Sequence, residues 1–280
     1  GLDINCIMAN YDLPFSFPED VVKASQHINT TITDDPKRWD LRDVPMVTID
    51  GEDAKDLDDA VSGRKLDNGN YELGVHIADV SHYVVSQKAI DREAYKRGTS
   101  VYLVDRVIPM LPEVLSNGIC SLNAGEDRYA MTCMMEIDTN GKVVNYRIQP
   151  SIIHVNRRCS YKEIYKALTE DIIPDDLAPL MPMIHNLSDI AKTLNDMRRR
   201  RGALDFDFPE YKVLLDTEGT PLRIVRRDRT LAERLIEECM LIANETVATH
   251  LKNTNRTSVY RIHETPSEEK MSMYQKVLNY

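Results

Sequence analysis

Two patterns of apolar residues divide the chain into a strand-rich part and a helix-rich part. Between residues 44 and 155 apolar and polar side chains alternate, as in YELGVHIADV at residues 71–80, and this period of two is typical of half-buried strands. After residue 160 the apolar side chains recur every three or four positions, which predicts amphipathic helices. Strands that precede helices, instead of alternating with them, indicate an α+β fold with a mixed, largely antiparallel β-sheet packed with α-helices.

Turn residues mark where the strands are expected to reverse. Asn140-Gly141 between two alternating runs is the best hairpin signal in the chain, because the tight hairpin turn needs residues that tolerate a left-handed backbone. A second hairpin is predicted around Glu218-Gly219. Further strands are predicted for residues 1–10, 44–50, 71–85 (with a bend near residues 78–79) and 99–112.

Capping residues mark where the helices are expected to begin and end. A hydroxyl residue three positions before a glutamate, which is the capping-box spacing, occurs at Ser160 and at Thr230. Gly98 is predicted to end a short helix, and Thr265 to cap the last one. The first predicted helix begins near residue 18. The others cover residues 86–98, 161–168, 180–201, 231–251 and the residues after 265.

The composition is that of a globular protein. Hydrophobic residues make up 42% and charged residues 29% of the 280 residues, enough for the core of one large domain or two ordinary ones. No stretch approaches the roughly 20 apolar residues of a membrane span, and no secretion signal is predicted. The cysteines show no two-residue spacing, which argues against a zinc ribbon or a disulfide framework and favours reduced thiols in the cytoplasm.

The charge balance is acidic but uneven. The net charge is 35 − 45 = −10, which by itself argues against nucleic acid as a partner, since neutralising phosphates needs lysine and arginine. Basic residues nevertheless cluster at Arg157-Arg158, Arg198–Arg201 and Arg223–Arg229. A metal-rich active site would also carry excess acid, because its own cations offset that charge.

Six acidic residues crowd the ten positions DGEDAKDLDD, residues 50–59. Like charges repel, so folding them together calls for a cation. On an extended chain Asp56 and Asp58 point to the same side, and a turn at Gly51 can bring Asp50 back toward them. Together with Asp59 these carboxylates would offer the oxygen ligands that Mg²⁺ or Ca²⁺ requires.

Three interpretations of this acidic stretch stay open from the residues alone. It can be a solvated loop, which is common for charge runs. It can be a calcium loop, although the EF-hand pattern fails because neither Asp50 nor Asp56 is followed by glycine at the sixth position. It can be a magnesium site for phosphoryl chemistry, in which two ions about 4 Å apart share several carboxylates.

Five collinear segments resemble the catalytic RNB domain of the bacterial ribonuclease II and ribonuclease R family, most closely its ribonuclease R branch. The resemblance runs from about residue 10 to the end of the chain. The segments are VTIDGEDAKDLDDAV (47–61), HIADVSHYV (76–84), RGTSVYL (97–103), VIPMLPEVLSNGICSLN (107–123) and LIEECMLIAN (235–244).

The resemblance implies a Mg²⁺-dependent exoribonuclease that trims single-stranded RNA processively from the 3′ end and releases nucleoside 5′-monophosphates. The family's active-site aspartates fall on Asp50, Asp56, Asp58 and Asp59. Asp50, Asp56 and Asp59 are then expected to hold metal, with two ions during catalysis. Asp58 matches the family's most activity-critical aspartate and is expected to position the second ion or the attacking water. No other small-molecule cofactor is expected.

The same resemblance implies contacts with the RNA. Tyr102 matches a tyrosine that abuts the last nucleotide, and Phe206 matches a phenylalanine on which bases stack. Glu237 matches a residue that contacts the terminal nucleotide. Arg97 is a candidate phosphate contact on position alone. The expected partner is single-stranded RNA, with the ribosome or RNA-decay factors as candidate partners of the full-length protein, and no membrane.

One departure from the family concerns the catalytic arginine, which lies in a downstream Ser-Pro-Ile-Arg segment that this sequence does not contain. We therefore expect a fragment that is inactive when taken alone. Residues 1–12 are interpreted as a remnant strand of a preceding cold-shock (OB-like) domain, residues 13–43 as linker and helix, and residues 44–280 as the N-terminal and central part of the RNB catalytic domain.

Two other functions compete with the exoribonuclease. One is a non-catalytic RNA-binding module that keeps the RNB scaffold, and the other is a phosphodiesterase for nucleotides. The complete aspartate set favours an active enzyme. His76 and His82 lie six residues apart on a predicted strand and are interpreted as structural histidines and not as metal ligands.

Overall fold

The computed structural model describes residues 2–204, 208–217, 219–227, 229–262 and 264–278. The chain divides into two compact units, Gly1–Ala243 and Asn244–Tyr280. The helices are α1 Leu2–Asn10, α2 Glu19–Gln26, α3 Val80–Tyr83, α4 Ala89–Arg97, α5 Tyr161–Thr169, α6 Met181–Arg200, α7 Leu231–Asn253 and α8 Glu268–Leu278. None of the helices in these ranges has both the length and the apolar character of a membrane span.

The strands lie in the first unit. They are β1 Trp39–Leu41, β2 Val47–Asp50, β3 Asp59–Lys65, β4 Tyr71–Ala78, β5 Val101–Tyr102, β6 Val107–Ile108, β7 Asp127–Ile137, β8 Val143–His154, β9 Arg157–Ser160, β10 Glu210–Leu215 and β11 Pro221–Arg227. An irregular helical turn, Val114–Ile119, follows β6.

Seven strands form one sheet in the order β1-β8-β7-β4-β3-β2-β9. The four inner pairs are antiparallel, whereas the outermost pairs, β1 with β8 and β2 with β9, are parallel. Two small ribbons, β5/β6 and β10/β11, are also antiparallel. The predicted mixed, largely antiparallel sheet in an α+β fold is therefore confirmed.

Helices cover both faces of the sheet. On one face α2, α4 and the irregular turn join Ala60 and Ala78 in a hydrophobic core. Gly63 lies three residues after Ala60 and so faces the other side. There it meets α6, and a Cβ at this glycine would come within 2.9 Å of Leu187 Cδ2. The close approach of α6 to β3 thus depends on the missing side chain.

Four hydroxyl and imidazole groups form a buried polar chain across the strands of the sheet. Ser62 Oγ lies 3.0 Å from His76 Nε2, His76 Nδ1 lies 2.9 Å from Thr132 Oγ1, and Thr132 Oγ1 lies 2.6 Å from Ser151 Oγ. Burial lowers the pKa of His76 to about 3, so the imidazole is neutral. A Cβ at Gly74 would lie 2.3 Å from Ser62 Oγ, so only glycine leaves room for the chain.

Local signals placed several boundaries correctly. Gly141, in the turn of the predicted hairpin, has φ of +86°, and β7 and β8 flank it. Gly98 follows the end of α4 with φ of +74°. The predicted capping box opens α5, because Ser160 Oγ accepts from the Glu163 amide and the Glu163 carboxylate accepts from the Ser160 amide.

The strand predicted for residues 1–10 is wrong, because Leu2–Asn10 forms a helix. Ile4 and Met8 are one helical turn apart and are the more buried side chains of its described part. A helix satisfies its backbone hydrogen bonds without a partner strand. Whether this segment belongs to a cold-shock domain stays a prediction.

The single strand predicted for residues 71–85 ends at Ala78 and is followed by the short helix α3. Asp79 causes the break. Its amide donates to the carbonyl of Tyr129 (3.0 Å), and its carboxylate, 6% exposed, accepts from Arg38 Nη2 (2.7 Å). His76 is a buried strand histidine as expected, whereas His82 lies on α3.

Three smaller predictions also need correction. The segment predicted as linker contains β1, which pairs with β8. The strand predicted for residues 99–112 is the ribbon β5/β6, with only two residues in each strand. In the second unit α8 begins at Glu268 and not at Thr265, and Ser267 Oγ accepts from the Lys270 amide (3.4 Å).

Candidate active site

The acidic stretch forms an irregular loop that joins two neighbouring strands of the sheet. Asp50 is the last residue of β2 and Asp59 the first of β3. Leu57 is 2% exposed and belongs to the core, which anchors the loop between Asp56 and Asp58. The Asp58 carbonyl also accepts from the Ala78 amide (2.9 Å). Two adjacent strand ends and one buried leucine therefore hold the four aspartates in one loop, and their convergence on a metal stays a prediction.

The four aspartates interact electrostatically. Burial raises the pKa of Asp50 to about 7, with the negative charges of Asp59, Asp58 and Asp56 adding to the effect and Arg158 opposing it. Burial, and then the charge of Asp58, raises the pKa of Asp59 to about 6. The pKa of Asp58 is raised by burial and by the charge of Asp56. These carboxylates thus crowd one region of low polarity.

Two carboxylate oxygens at this site have no hydrogen-bond partner. Asp50 Oδ2 and Asp59 Oδ2 are both inaccessible to solvent and receive no hydrogen bond. A buried carboxylate without a donor is costly, so such atoms call for a ligand. The donor chemistry, several carboxylate oxygens, is that of a Mg²⁺ site.

The carboxylates are not yet a ligand cage. Within the described residues no group of three or more His, Cys, Asp or Glu side chains stands close enough together to hold a metal ion. Mutual repulsion keeps like charges apart unless a cation draws them in. The structure therefore brings the predicted aspartates into one site, with orphaned oxygens that fit a cation, and the metal itself stays a prediction.

Tyr102 stands beside the aspartates, on the two-residue strand β5. Its hydroxyl donates to Asp56 Oδ2 (3.2 Å), and the residue is 67% exposed. Burial raises the pKa of Tyr102, and the charge of Asp56 adds to the shift. An exposed ring next to the acidic loop is available for stacking, as predicted, although stacking itself stays a prediction.

A cleft of about 770 Å³ opens on the same side of the loop. It combines aromatic rings, on which the bases of single-stranded nucleic acid can stack, with charged side chains of both signs. The aromatic and basic residues that line it are Tyr102, Tyr161, Tyr165, Tyr211, Lys162, Lys212 and Arg227. Lys212, on β10, also forms an ion pair with Asp53, so the β10/β11 ribbon contacts the acidic loop.

Sequence reasoning missed Tyr161, the first residue of α5. Burial raises its pKa to about 12, and the charges of Asp50 and Asp59 add to the shift. Sequence reasoning also missed Ser121 and Arg158, which hydrogen-bond to the backbone of the acidic loop. The available signals were the basic pair Arg157-Arg158 and the position of Tyr161 directly after the capping serine.

Arg97 does not have the role predicted for it. Its side chain is 4% exposed and stacks on the Phe17 ring, 3.8 Å from the centroid. Its guanidinium donates to the Glu93 carboxylate (2.8 Å) and to the carbonyls of Pro109 (2.9 Å) and Ser16 (2.8 Å). Every direction is occupied by protein, so Arg97 joins α4 to the preceding segment and is not placed to meet phosphate.

Glu237 and Phe206 are the two remaining predicted contacts with RNA. Glu237, on α7, forms an ion pair with Arg229. Its neighbour Glu238 is 3% exposed and accepts from Asn195 (2.9 Å) and Arg198 (2.8 Å), so the pair divides between surface and interior as expected. Phe206 lies outside the described residues.

Comparison with known proteins gives a consistent result. Residues 38–279 match the family model described as RNB domain. The chain is 48% identical over 274 residues to Ribonuclease R of Thermotoga maritima, covering 96% of this chain and 39% of that protein. The chain thus spans less than half the length of the curated relatives it matches.

Solved structures agree with the sequence matches. A structure of Mycoplasma genitalium RNase R in complex with double-stranded RNA superposes with a TM-score of 0.93 at 30% identity, covering 99% of this chain and 50% of that one. Yeast Ssd1, described as a pseudonuclease, superposes with a TM-score of 0.69 at 18% identity over 95% of this chain and 31% of that one, which shows a shared fold alone.

Proposed function

The chain belongs to the RNB domain family, and on that premise we propose that it supplies the acidic centre of a 3′-to-5′ exoribonuclease. The single observation that carries the proposal is the pair of orphaned carboxylate oxygens, on Asp50 and Asp59, in a loop beside the exposed ring of Tyr102. Ribonuclease R relatives and an RNA-bound neighbour support RNA as the substrate.

The proposed cofactor is Mg²⁺, with two ions during catalysis. Bound there, it would lower the pKa of a water molecule and offset negative charge on the phosphodiester. Asp50 and Asp59 would hold it through their unpartnered oxygens, and Asp56 through the carboxylate that now accepts from Tyr102. Asp58 would orient the second ion or the water.

The cleft supplies the binding part of the proposal. Tyr102 would stack on the terminal base of single-stranded RNA, since stacking tolerates any base. Lys162, Lys212 and Arg227 would meet phosphates along the cleft by exchanging their ion pairs with Glu52, Asp53 and Glu210. Water would attack the terminal phosphodiester and break its P–O3′ bond, so the shortened chain would keep a 3′-hydroxyl and the phosphate would leave on a nucleoside 5′-monophosphate. Repetition of this step in the cytoplasm would release one mononucleotide at a time.

Two other functions share parts of this structure. One is a non-catalytic RNA-binding module; the likeness to Ssd1, described as a pseudonuclease, shows that a protein of that description can have this fold. The orphaned oxygens of Asp50 and Asp59 argue against such a module, because a site that binds no cation has no reason to keep costly unpaired acids. A nucleotide phosphodiesterase would keep the acids but cleave mononucleotide substrates.

The test is product analysis with the full-length protein that carries this chain. An oligoribonucleotide labelled at its 5′ end is incubated with Mg²⁺ and sampled over time. Stepwise shortening from the 3′ end, with release of nucleoside 5′-monophosphates, is the expected result. Binding without cleavage would support the non-catalytic module, and cleavage of small nucleotides alone would support the phosphodiesterase.

A further inference from the structure

The conformation of the acidic loop depends on hydrogen bonds from other segments of the chain. The loop residues between β2 and β3 belong to no strand. Within the loop, the Ala54 amide donates to the Gly51 carbonyl (3.1 Å) and closes a turn. Charge repulsion among its aspartates works against a compact arrangement. The groups that hold its backbone therefore decide where the carboxylates point.

Ser121 holds the second half of the loop. It is completely buried, and its Oγ accepts from the Leu57 amide (3.1 Å), while the nearest acceptor for its proton is the Lys55 carbonyl (3.0 Å). The next residue continues the contact, because the Leu122 amide donates to the Leu57 carbonyl (2.8 Å). These bonds fix the backbone on both sides of Asp56 and directly before Asp58.

The segment around Ser121 is itself held in place. The Arg128 guanidinium, on β7, donates through Nε to the Ser121 carbonyl (2.9 Å). The Ser121 amide donates to the Gly118 carbonyl (3.0 Å). Ser121 thus connects the loop to strand β7 of the central sheet.

Arg158 holds the first half. It lies on β9, beside β2, and its Nη2 is 2.8 Å from the Ala54 carbonyl, 3.0 Å from that of Glu52 and 3.3 Å from that of Gly51. A cation that gathers several carbonyls closes a turn tightly. The same guanidinium places positive charge near Asp50, which partly offsets the repulsion from the other acids.

We propose that Ser121 and Arg158 are positioning residues, which hold the acidic loop from opposite sides so that the aspartates can converge on one divalent cation. The inference rests on the proposed function, since it concerns the same site. Neither residue needs to touch the metal or the RNA. Partners of this kind orient metal ligands, and their loss typically weakens metal affinity about 10- to 100-fold.

The test measures Mn²⁺ binding to the full-length protein by electron paramagnetic resonance, with Mn²⁺ standing in for Mg²⁺. Mn²⁺ binding is assigned to the proposed site only where the substitution Asp50→Asn abolishes it. Ser121→Ala is compared with Ser151→Ala, which also removes a completely buried hydroxyl but one that lies in the buried polar chain. We expect Ser121→Ala to weaken this binding about tenfold and Ser151→Ala to leave it within about twofold, although both lower the melting temperature.

Arg158 gives a second test that does not depend on a buried substitution, because this residue is exposed. Arg158→Met is expected to weaken Mn²⁺ binding, and Arg158→Lys to restore part of it, since a lysine ammonium can still gather carbonyls. Arg64→Met, at an exposed arginine of β3 paired with Glu72, is the matched control and should bind as the wild type does.

The outcomes separate the two proposals. Unchanged Mn²⁺ binding in Ser121→Ala and Arg158→Met would overturn the positioning role and leave the proposed function standing. Equal weakening in Ser151→Ala and Arg64→Met would also overturn it, because the effect would then reflect general stability. If the wild type shows no Mn²⁺ binding that Asp50→Asn removes, the metal site of the proposed function fails, and the positioning role fails with it.

Discussion

Two groups of buried polar side chains in this protein are satisfied in opposite ways. In the buried polar chain each member, from Ser62 to Ser151, has a hydrogen-bond partner within 3.0 Å. At the acidic loop, one oxygen of Asp50 and one of Asp59 are buried with none. The first group therefore stabilises the fold as it stands, whereas the second costs stability until something binds.

The difference shows where function lies in this sheet. Strand β3 carries members of both groups, Asp59 at its start and Ser62 three residues later, so the same scaffold serves both. Natural proteins rarely leave buried acids unpaired without a use for them. The contrast predicts that substitutions in the loop change activity and those in the buried polar chain change stability.

The largest expected effect is that of Asp58→Asn on RNA degradation by the full-length protein. Losing one charge at a metal site removes several kcal/mol of transition-state stabilisation, so we expect the rate to fall at least about a hundredfold. The rate of mononucleotide release measures this effect. Asp67→Asn, an exposed aspartate in the β3–β4 turn, should leave the rate unchanged, and an unchanged rate in Asp58→Asn would refute its assigned role.

Thr132→Val should have the converse effect. Valine keeps the shape of threonine but leaves His76 Nδ1 without a partner and Ser151 Oγ with only the Ala130 carbonyl (3.2 Å), which should cost about 1–3 kcal/mol of unfolding free energy. Urea denaturation measures the loss. Mn²⁺ binding should not change, and a marked loss of binding would show that the two groups are coupled.

The third effect is a dependence of stability on pH without divalent cation. The pKa values of Asp50, about 7, and Asp59, about 6, lie above the unfolded value of 3.8, so the folded state binds more protons between these limits. The stabilisation of the folded state that these two raised pKa values give is complete below pH 4 and is lost as the pH rises through 6 and 7. The melting temperature should therefore fall between pH 5 and pH 8 by more in the wild type than in Asp50→Asn/Asp59→Asn.

Added Mg²⁺ sharpens this third prediction. The cation binds the ionised carboxylates, so it should raise the melting temperature at pH 8 and do little at pH 5. An equal rise at both values, or a rise that persists in the double variant, would mean that the cation binds elsewhere.

The smallest expected effect is that of Tyr102→Phe. The ring remains available for stacking, and only the hydrogen bond to Asp56 is lost, so we expect less than about a threefold change in the rate of RNA degradation. Tyr102→Ala removes the ring as well and should raise the KM for a short oligoribonucleotide well above that of Tyr102→Phe. Equal kinetics for the two variants would show that the ring does not stack on RNA.

The features that could be predicted from the sequence are those fixed by neighbouring residues. The turn at Gly141, the capping box at Ser160 and the end of α4 at Gly98 each depend on a few adjacent positions. The cluster of acidic residues between Asp50 and Asp59 is also local in sequence, and the candidate site was predicted from it. A short-range pattern carries enough information where the physical cause is short-range.

The features that could not be predicted depend on distant partners. The strand that contains His76 ends early because Asp79 pairs with Arg38, 41 residues away in sequence. Ser121 reaches the Leu57 amide across 64 residues, and Arg158 reaches the Ala54 carbonyl across 104. Arg97 looked available for phosphate because its three acceptors are invisible in the sequence around it. Such contacts exist only once the sheet has formed.

The three-residue strand β1 has a consequence for how this protein can be handled. It lies along Ser151–Ile153 of β8, and Arg147 of β8 stacks over the Trp39 ring at 4.2 Å. Without it the outer margin of β8 would present unpaired amides and carbonyls, the kind of template on which other chains add strands. A shortened chain that lacks the residues up to Leu41 would therefore be prone to self-association.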